Sequence, residues 1–494
     1  MIRSLIVTIA LVAATLAISS SPPPAVAAEE EIYPLVFPVV GRVYYSDTFG
    51  ACRDGCSRSH IGNDILTYGL KGLPVVAAHD GVVRWTSTDL GRACCAIWGI
   101  TADDGWETWY IHLNNDTPGT DDGNGWGFAP GIEPGVRVQA GQLIGWVGDS
   151  GNAENSAAQI HFELRKPGGT AISPYASLRA ATQIDLPRLA GLNRFVTAAE
   201  IARDGYGSGA ETVFVTTGRA FPDALAVGAA GSALQAPVLL TEPDTLPLAT
   251  RQALDEIQPS RIVVVGGTSA VTEKVAGQLG AYGTVERIGG VDRYQTATMV
   301  AEAMFNDPTN VYVSFGYSYP DAVSASTAAG ANAGPLLLSD SVILSGPTKN
   351  YLEGLSGASV TIVGNTSAIS DDVLNEIAGL AGVVSVNRIG AATGPETSVA
   401  VSQATYPSGA SRVYLATALD YADALAGGSI AALNNAPVLL LDAASLGLVD
   451  AEVGRLGATE VIVLGGPEAV GYDWIVPFWN RSVGNTMPVW NSHG

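Results

Sequence analysis

The stretch "RIGGVDRYQTATMVA", residues 287–301, decides most of the fold, because it is one of three copies in the chain. It is matched by "RLAGLNRFVTAAEIA" from Arg188 and, more loosely, by "RIGAATGPETSVAVS" from Arg388. A second motif recurs with it as "FPDALA", "YPDAVS" and "YADALA", whose aspartates are Asp223, Asp321 and Asp423. Recurrence at such a regular period indicates that one structural unit is built three times.

Each copy alternates β-branched runs with stretches rich in Ala and Leu. In the first copy "ETVFVTT" leads to "FPDALAVGAAGSAL", then to "PVLLT", "LPLATRQALDEI" and "RIVVVGG". Continuous apolar strands that alternate with helices are typical of a parallel sheet covered on both faces. We therefore expect three small α/β units, at residues 184–284, 285–384 and 385–471, followed by a tail over 472–494. The tail is expected to pack on the last unit, and stacking of its aromatic side chains on sugars is the alternative.

Residues 28–183 have a different character. Short β-like runs such as "GLPVVAAHDGVVRW", "ETWYIHL" and "GQLIGWVGDSG" are separated by Gly, Asp and Asn turns. This pattern predicts an antiparallel β-rich domain, so the chain as a whole is multidomain. The formal net charge of -22 argues against nucleic acid as a partner. Binding of any anionic partner then requires a local basic patch or bridging cations.

The N-terminus has the features of an export signal. Arg3 precedes an apolar run over residues 5–18, and residues 25–27 read Ala-Val-Ala, an A-x-A cleavage site. We expect a signal peptide over residues 1–27 and a secreted mature protein without a membrane span. An uncleaved membrane anchor is the alternative.

All four cysteines, Cys52, Cys56, Cys94 and Cys95, lie in the first domain. In an exported protein such a cluster indicates disulfides. Because adjacent residues of a strand face opposite sides, we expect Cys94 and Cys95 to pair with the other two cysteines rather than with each other. That pairing would brace the loop before His60. A zinc site built from the four thiols is the alternative, and the lack of a second C-x2-C spacing argues against it.

Three histidines and an aspartate of this domain form a candidate metal site. "HIGND" contains His60 and Asp64, and "AAQIHFELRK" contains His161 with Gln159 two residues before it. Residues two apart on a strand share a face, so Gln159 and His161 should point into the same space. A His/Asp/His set matches catalytic zinc, which takes three protein ligands and keeps one position open. His112 in "WYIHL" could then assist as a hydrogen-bonding or charge-stabilising group.

Several of these motifs have a second interpretation. Each histidine could have a separate structural role, and His79 and His493 are assigned no function. The "VVVGG" loops suggest nucleotide binding, but no G-x-G-x-x-G or Walker pattern follows them. The repeated aspartates could be catalytic, although an acidic residue at a helix start is more often a cap or a first-turn charge. The arginines that open the copies, Arg188, Arg287 and Arg388, could form a basic patch or one structural ion pair in each copy.

The first domain resembles the M23 (lysostaphin/LytM-type) zinc metallopeptidases over roughly residues 37–178. The words "HIGNDI", "WYIHL", "GQLIGWVGDSG" and "IHFELR" carry the likeness in order, spacing and flanking residues. The resemblance implies one zinc ion in a β-rich fold that cuts peptide bonds of peptidoglycan. It assigns His60, Asp64 and His161 as zinc ligands and His112 as the catalytic histidine.

Gln159 departs from the pattern of that family. It stands where the first histidine of the H-x-H motif, a catalytic group, is expected. Glutamine donates and accepts hydrogen bonds but does not exchange a proton near neutral pH. The metal ligands are complete without it, whereas general acid-base help is worth about 10²- to 10⁴-fold in rate. The departure therefore bears on catalysis and leaves the metal site whole.

The second region resembles three tandem cell-wall-binding repeats of type 2, over about residues 188–471. "RIGGVDRYQTA", "YPDAVSAS", "GPLLLS" and "VTIVGN" carry this likeness, and copy three lacks the Asp-Arg-Tyr portion, having Thr-Gly-Pro at residues 393–395. The resemblance implies a three-lobed module that attaches exported proteins to the Gram-positive cell wall through anionic polymers such as teichoic acids.

Together the two resemblances predict a secreted, wall-attached zinc endopeptidase that acts on peptidoglycan peptides. Because of Gln159, a non-catalytic adaptor that recognises wall peptides or activates a partner hydrolase is the main alternative. A third possibility makes wall binding by the repeats the main function and the first domain a passenger.

Overall fold

The structure is a computed structural model that describes residues 31–87, 95–117, 121–125, 127–184, 186–207, 209–219 and 222–479. The expected signal peptide, Cys94, His493 and the last part of the tail lie outside these residues. In the described part of the chain no helix is long and apolar enough to cross a membrane.

The N-terminal domain is built from short strands. Its described elements are β1 Cys52–Arg53, β2 Arg58–Ser59, β3 Asn63–Leu66, β4 Pro74–Val76, β5 Gly81–Val83, β6 Thr86–Ser87, β7 Ala96–Thr101, β8 Glu107–Ile111, β9 Arg137–Val138, β10 Leu143–Trp146, β11 Gln159–Arg165, β12 Ala171–Ile172 and α1 Tyr175–Ala180.

Most of these strands form one antiparallel sheet in the order β12-β11-β8-β7-β5-β9, with β3 also paired to β11. The alternation along β11 separates two faces of this sheet. Ile160, Phe162 and Leu164 are fully buried in the core, whereas His161 and Glu163 point to the opposite face. The predicted antiparallel β-rich domain is confirmed, and the face opposite the core is the one that carries the candidate site.

The predicted disulfide pairing is wrong, because Cys52 is bonded to Cys56. Gly55 adopts a left-handed conformation (φ 66°) that turns the chain back on itself and brings the two Cα atoms within 4.7 Å. An extended path through these residues would have kept the two thiols apart. Cys95 is disulfide-bonded as well.

The repeat region alternates strands and helices as predicted. Its described elements are β13 Arg188–Leu189, α2 Arg194–Tyr206, β14 Thr212–Thr217, α3 Pro222–Ala233, β15 Val238–Thr241, α4 Leu248–Ile257, β16 Arg261–Val265, α5 Glu273–Leu279, β17 Thr284–Ile288, α6 Arg293–Met304, β18 Asn310–Phe315, α7 Tyr319–Ala331, β19 Leu336–Ser339, α8 Gly346–Glu353, β20 Ala358–Val363, α9 Asp371–Ala378, β21 Val383–Ile389, α10 Gly394–Thr405, β22 Arg412–Thr417, α11 Ala422–Leu433, β23 Val438–Leu441, α12 Leu446–Leu456, β24 Glu460–Leu464 and α13 Tyr472–Trp479.

These strands form three parallel sheets of four, in the orders β15-β14-β16-β17, β19-β18-β20-β21 and β13-β24-β22-β23. The predicted three-lobed α/β region is confirmed, with an offset between sequence copy and lobe. β17 and β21 contain the arginines that open the second and third copies, yet they complete the sheets of the copies before them. The third sheet is completed by β13, from the start of the region, so the three lobes close into a ring.

The helices that follow the first strand of each lobe, α3, α7 and α11, contact one another at the centre of the ring. Their small side chains allow close approach. A Cβ atom at Gly228 would lie 2.1 Å from Ser326 Oγ, so a larger residue there would force the serine hydroxyl to move. The Ala- and Gly-rich composition of the "FPDALA" helices follows from this packing.

A shared hydrophobic cluster connects the two regions. Val40 and Val76 of the N-terminal domain belong to the same cluster as Val453 of the third lobe. Ile475 and Phe478 of α13 are fully buried in that cluster. The described part of the tail therefore packs on the last lobe and against the N-terminal domain.

The arginines that open the copies act within the ring rather than as one basic patch. Each donates a hydrogen bond from Nη1 to the carbonyl of a glycine that ends a strand, Arg188 to Gly465, Arg287 to Gly266 and Arg388 to Gly364. These contacts support a structural role for each arginine and not a shared basic patch.

The repeated aspartates lie in the first turns of α3, α7 and α11, as expected. A threonine of the next copy around the ring lies near each of them, Thr296 near Asp223, Thr397 near Asp321 and Thr197 near Asp423. Burial raises the pKa of all three carboxyl groups, and that of Asp423 reaches about 6. The three aspartates therefore lie where adjacent copies meet.

Candidate metal centre

Two neighbouring strands bring the candidate ligands together. β3 and β11 are antiparallel, and their register places Asp64 directly opposite His161. His60 lies in the connection between β2 and β3, four residues before Asp64. The H-x-x-x-D pair therefore spans a strand end, as the glycine within it predicts.

The ligand atoms of these three residues converge on one point. His60 Nε2 lies 2.8 Å from His161 Nδ1 and 3.1 Å from Asp64 Oδ1. His161 Nδ1 lies 3.0 Å from the same carboxylate oxygen. Both histidines are buried, and 18% of the Asp64 side chain is exposed. The arrangement forms a compact pocket of two imidazole nitrogens and one carboxylate oxygen.

The second nitrogen of each histidine is hydrogen-bonded to an oxygen that can only accept. His60 Nδ1 donates to the Thr48 carbonyl at 3.0 Å, and His161 Nε2 donates to Glu163 Oε1 at 3.2 Å. With Nδ1 of His60 and Nε2 of His161 as the donors of these bonds, the other nitrogen of each ring is free to bind a metal ion. Arg165 Nε donates to Glu163 Oε2 at 2.8 Å and holds that carboxylate in place.

Glu163 was not predicted from the sequence. The available signal was its position two residues after His161, which places both side chains on the same face of β11. Thr48 could not have been found in this way, because its main chain, not its side chain, contacts the histidine.

The electrostatics of the site favour an ionised aspartate. Burial works to raise the pKa of Asp64, but the hydrogen bond from His161 and the nearby positive charges lower it to about 2. For His161, burial lowers the pKa, whereas the hydrogen bonds to Asp64 and Glu163 outweigh burial and raise it. Burial lowers the pKa of His60.

These residues fit a zinc ion. Tetrahedral zinc with ligands at about 2.0–2.2 Å requires neighbouring ligand atoms about 3.3 Å apart. The three observed separations, 2.8, 3.0 and 3.1 Å, are within a few tenths of an ångström of that value. Two imidazole nitrogens with one carboxylate oxygen form a donor set that zinc accepts.

His112 lies beside the cluster, directly after β8. Its backbone is left-handed (φ 67°), and its Nδ1 donates to the Ser150 carbonyl at 2.8 Å. Its ring centroid is 6.3 Å from that of His161. Burial lowers the pKa of His112, so the ring is neutral at neutral pH and Nε2 carries the lone pair. The residue can therefore accept a proton next to the metal ligands.

Gln159 opens β11 on the same face as His161, opposite Leu66 of β3. Its main-chain N–H donates to the Gly148 carbonyl, and its side chain is hydrogen-bonded to none of the residues that the structure describes. His79, to which no function was assigned, is hydrogen-bonded to the Asp80 carbonyl and to Thr108.

A second group of carboxylates surrounds a lysine. Asp116, Asp121 and Asp149 lie within ligand distance of one another. Lys71 Nζ lies among them, at 2.9 Å from Asp116 and 2.7 Å from each of the other two. This ion cluster fixes the loop that leads to Ser150, the hydrogen-bond acceptor of His112. Sequence spacing contains no signal for it.

The chain thus consists of an antiparallel β domain with a His/Asp/His cluster, joined to a three-lobed α/β repeat module. Family comparison matches residues 58–174 to Peptidase family M23 and residues 188–276, 287–374 and 388–474 to Cell wall binding domain 2 (CWB2). The three repeat matches cover more than half of the chain. The chain belongs to the CWB2 family and carries a Peptidase family M23 domain before its three repeats.

Individual relatives match parts of the chain. An N-acetylmuramoyl-L-alanine amidase LytC of Bacillus subtilis is 28% identical over 309 residues, which are 62% of this chain and 60% of the relative. An L-Ala–D-Glu endopeptidase of the same organism is 32% identical over 163 residues, 31% of this chain and 44% of the relative. The chain thus spans about half the length of these curated relatives.

One solved structure supports the fold of a large part of the chain. Cwp6 from Clostridium difficile covers 77% of this chain with 66% of its own length, at a TM-score of 0.54 and 20% identity. This likeness concerns architecture alone.

Proposed function

We propose that the protein is an exported zinc metalloendopeptidase that is attached to the Gram-positive cell wall and hydrolyses peptidoglycan peptides. The observation that carries the proposal is the convergence of His60 Nε2, Asp64 Oδ1 and His161 Nδ1 on one point, with the other nitrogen of each histidine hydrogen-bonded to an oxygen. The M23 match and the similarity to an endopeptidase support the choice of peptide bonds in the cell wall.

His60, Asp64 and His161 would hold the zinc ion. When bound, zinc acts as a Lewis acid on a carbonyl and makes a hydroxide nucleophile available near neutral pH. Glu163 and the Thr48 carbonyl fix the ring hydrogens, so the two histidines present lone pairs without rearrangement.

His112 supplies the proton chemistry. Its Nδ1–H is held by the Ser150 carbonyl, and its neutral Nε2 takes up a proton from the attacking nucleophile and returns it to the leaving amine. Gln159, on the same face of β11 as His161, can orient the substrate through its amide but cannot take part in this transfer. One proton-transferring side chain thus does the work usually shared by two.

The repeats would attach the protein to anionic wall polymers such as teichoic acids. Copies one and two place Arg194 and Arg293 at the start of the helix after the repeat motif, and copy three has Gly394 there. Because of this difference we expect the three lobes to contribute unequally. Full-length protein should sediment with Gram-positive sacculi, and removal of the anionic polymers from the same sacculi should abolish most of this binding.

A non-catalytic adaptor is the second candidate function, and Gln159 is the observation that favours it. Such a protein would use the same groove to recognise wall peptides without cutting them. Inert wild-type protein in which Gln159→His switches on hydrolysis would support the adaptor.

The decisive experiment measures muropeptides released from purified sacculi by the full-length protein with one zinc ion bound. Release by wild type but not by His60→Ala or Asp64→Asn supports the endopeptidase. Zinc-loaded wild type that releases nothing from sacculi of several peptide chemistries contradicts it.

A further inference from the structure

An arginine outside the ligand set contacts one of the ligands. Arg53 Nη2 lies 2.6 Å from Asp64 Oδ2, while Asp64 Oδ1 faces the two histidines. The guanidinium therefore occupies the carboxylate oxygen that the metal centre does not use. It fixes the rotation of the carboxylate and leaves one oxygen for a metal ion.

Arg53 belongs to a hairpin that also leads into the metal centre. β1 and β2 are antiparallel, with Cys52 opposite Ser59, and Ser59 is followed directly by His60. The main-chain N–H of His60 donates to the Ala51 carbonyl at 2.8 Å, just before the hairpin. One short hairpin thus places a guanidinium at one end and a ligand histidine at the other.

The tip of this hairpin has a backbone that needs support. Asp54, Gly55 and Cys56 all have positive φ values, of 52°, 66° and 72°. A left-handed conformation is sparsely populated for residues other than glycine, and it persists only where the surroundings impose it. The Cys52–Cys56 disulfide closes the turn across these residues and supplies that constraint.

We propose that Arg53 is a positioning residue for Asp64 and that the Cys52–Cys56 disulfide holds it there, so that the affinity of the metal centre depends on the disulfide. The inference rests on the zinc site of the proposed function. It adds a control of metal binding by the oxidation state of two cysteines that are not metal ligands.

Arg53 has two opposing effects on the affinity of the site for zinc. Its positive charge repels a divalent cation, but that charge is paired with Asp64 Oδ2, and 36% of the side chain is exposed to water. Loss of a hydrogen-bond partner of a ligating side chain costs about 10- to 100-fold in metal affinity. We therefore expect the positioning effect to exceed the repulsion.

The test measures zinc affinity of the full-length protein by competition with a chromophoric chelator at 0.15 M salt. Arg53→Met should weaken zinc binding about 10-fold, and Arg53→Lys should recover part of the loss because it keeps a charged donor. Arg58→Met is the matched control, since Arg58 lies on the same hairpin and pairs with exposed Asp54, away from the metal centre. The absorption spectrum of bound Co²⁺ should change in Arg53→Met and not in Arg58→Met.

The disulfide is tested by a double-mutant cycle. Cys52→Ser with Cys56→Ser should weaken zinc binding as much as Arg53→Met, and the combination of all three changes should cost no more than either alone. Additive losses, or zinc binding by Arg53→Met as tight as that of wild type, overturn the proposal. If the variants change zinc affinity but the wild-type protein cuts no sacculi, the proposed hydrolase activity is wrong and the role of Arg53 and the disulfide is still supported. Wild type that binds no zinc contradicts both.

Discussion

Replacement of Lys71 by methionine should destabilise the N-terminal domain by about 3–5 kcal/mol, because it leaves buried charges without a partner. The ammonium lies within 2.9 Å of three carboxylates, and the side chains of Asp116 and Asp149 are only 2% and 3% exposed. Asp121, with 60% exposure, is solvated and adds little. These three contacts with carboxylates outweigh the burial of Lys71 and raise its pKa. Its stabilising charge is therefore fully present at pH 7 and is lost only as the pH rises through the raised value.

Thermal unfolding monitored by tryptophan fluorescence measures this effect, since six of the nine tryptophans lie in residues 85–146. For a domain of this size the expected loss lowers Tm by about 6–20 °C. Lys166→Met is the control, because its ion pair with Glu31 is exposed on both sides and should change stability by at most about 1 kcal/mol. Adding Asp149→Asn to Lys71→Met should restore part of the stability. If Lys71→Met has the same Tm as the Lys166→Met control, the reasoning that Lys71 stabilises the buried carboxylates is refuted.

Other changes test the remaining parts of the account. Asp423→Asn should stabilise the repeat ring at pH 7 by about 1–3 kcal/mol, since the pKa of Asp423 is raised to about 6 by burial and by Asp420. The stability that the protonated carboxyl contributes is present below pH 4 and lost as the pH rises through 6, so melts of the variant and wild type should coincide at pH 4. Glu163→Gln should weaken zinc binding about 10- to 100-fold in chelator competition, and equal affinity would show that Glu163 does not orient His161. Gln159→His should raise the rate of muropeptide release by up to about 10²-fold at unchanged zinc stoichiometry, and an unchanged rate would mean that His112 already supplies all proton transfer.

The parts of the fold that follow from local patterns could be predicted from the sequence. Three copies of one motif and alternating strand and helix patterns were sufficient for three α/β lobes. The closing of the ring could not be predicted, because β13 comprises only residues 188–189 and pairs with a strand some 270 residues later in the chain. A two-residue strand has no periodicity, and its partner is chosen by tertiary packing.

Of the candidate site, the metal ligands could be predicted from the sequence, whereas the charged residues around them could not. His60 and Asp64 share a local motif, and the resemblance of "IHFELR" added His161. Arg53 and Lys71 were missed because ion pairs between loops have no characteristic spacing. The Cys52–Cys56 bond was missed although Asp54-Gly55 is a turn signal, because the adjacency of the cysteines at residues 94–95 argued against the pairing that this bond leaves for them.

One measurement tests the central claim most directly: zinc stoichiometry and muropeptide release, determined on the same preparation of full-length protein and of Asp64→Asn. The account predicts one zinc ion per chain and release of muropeptides for wild type, and loss of both in the variant. Hydrolysis that survives in Asp64→Asn without zinc, or wild type that releases nothing while holding one zinc ion, would contradict it.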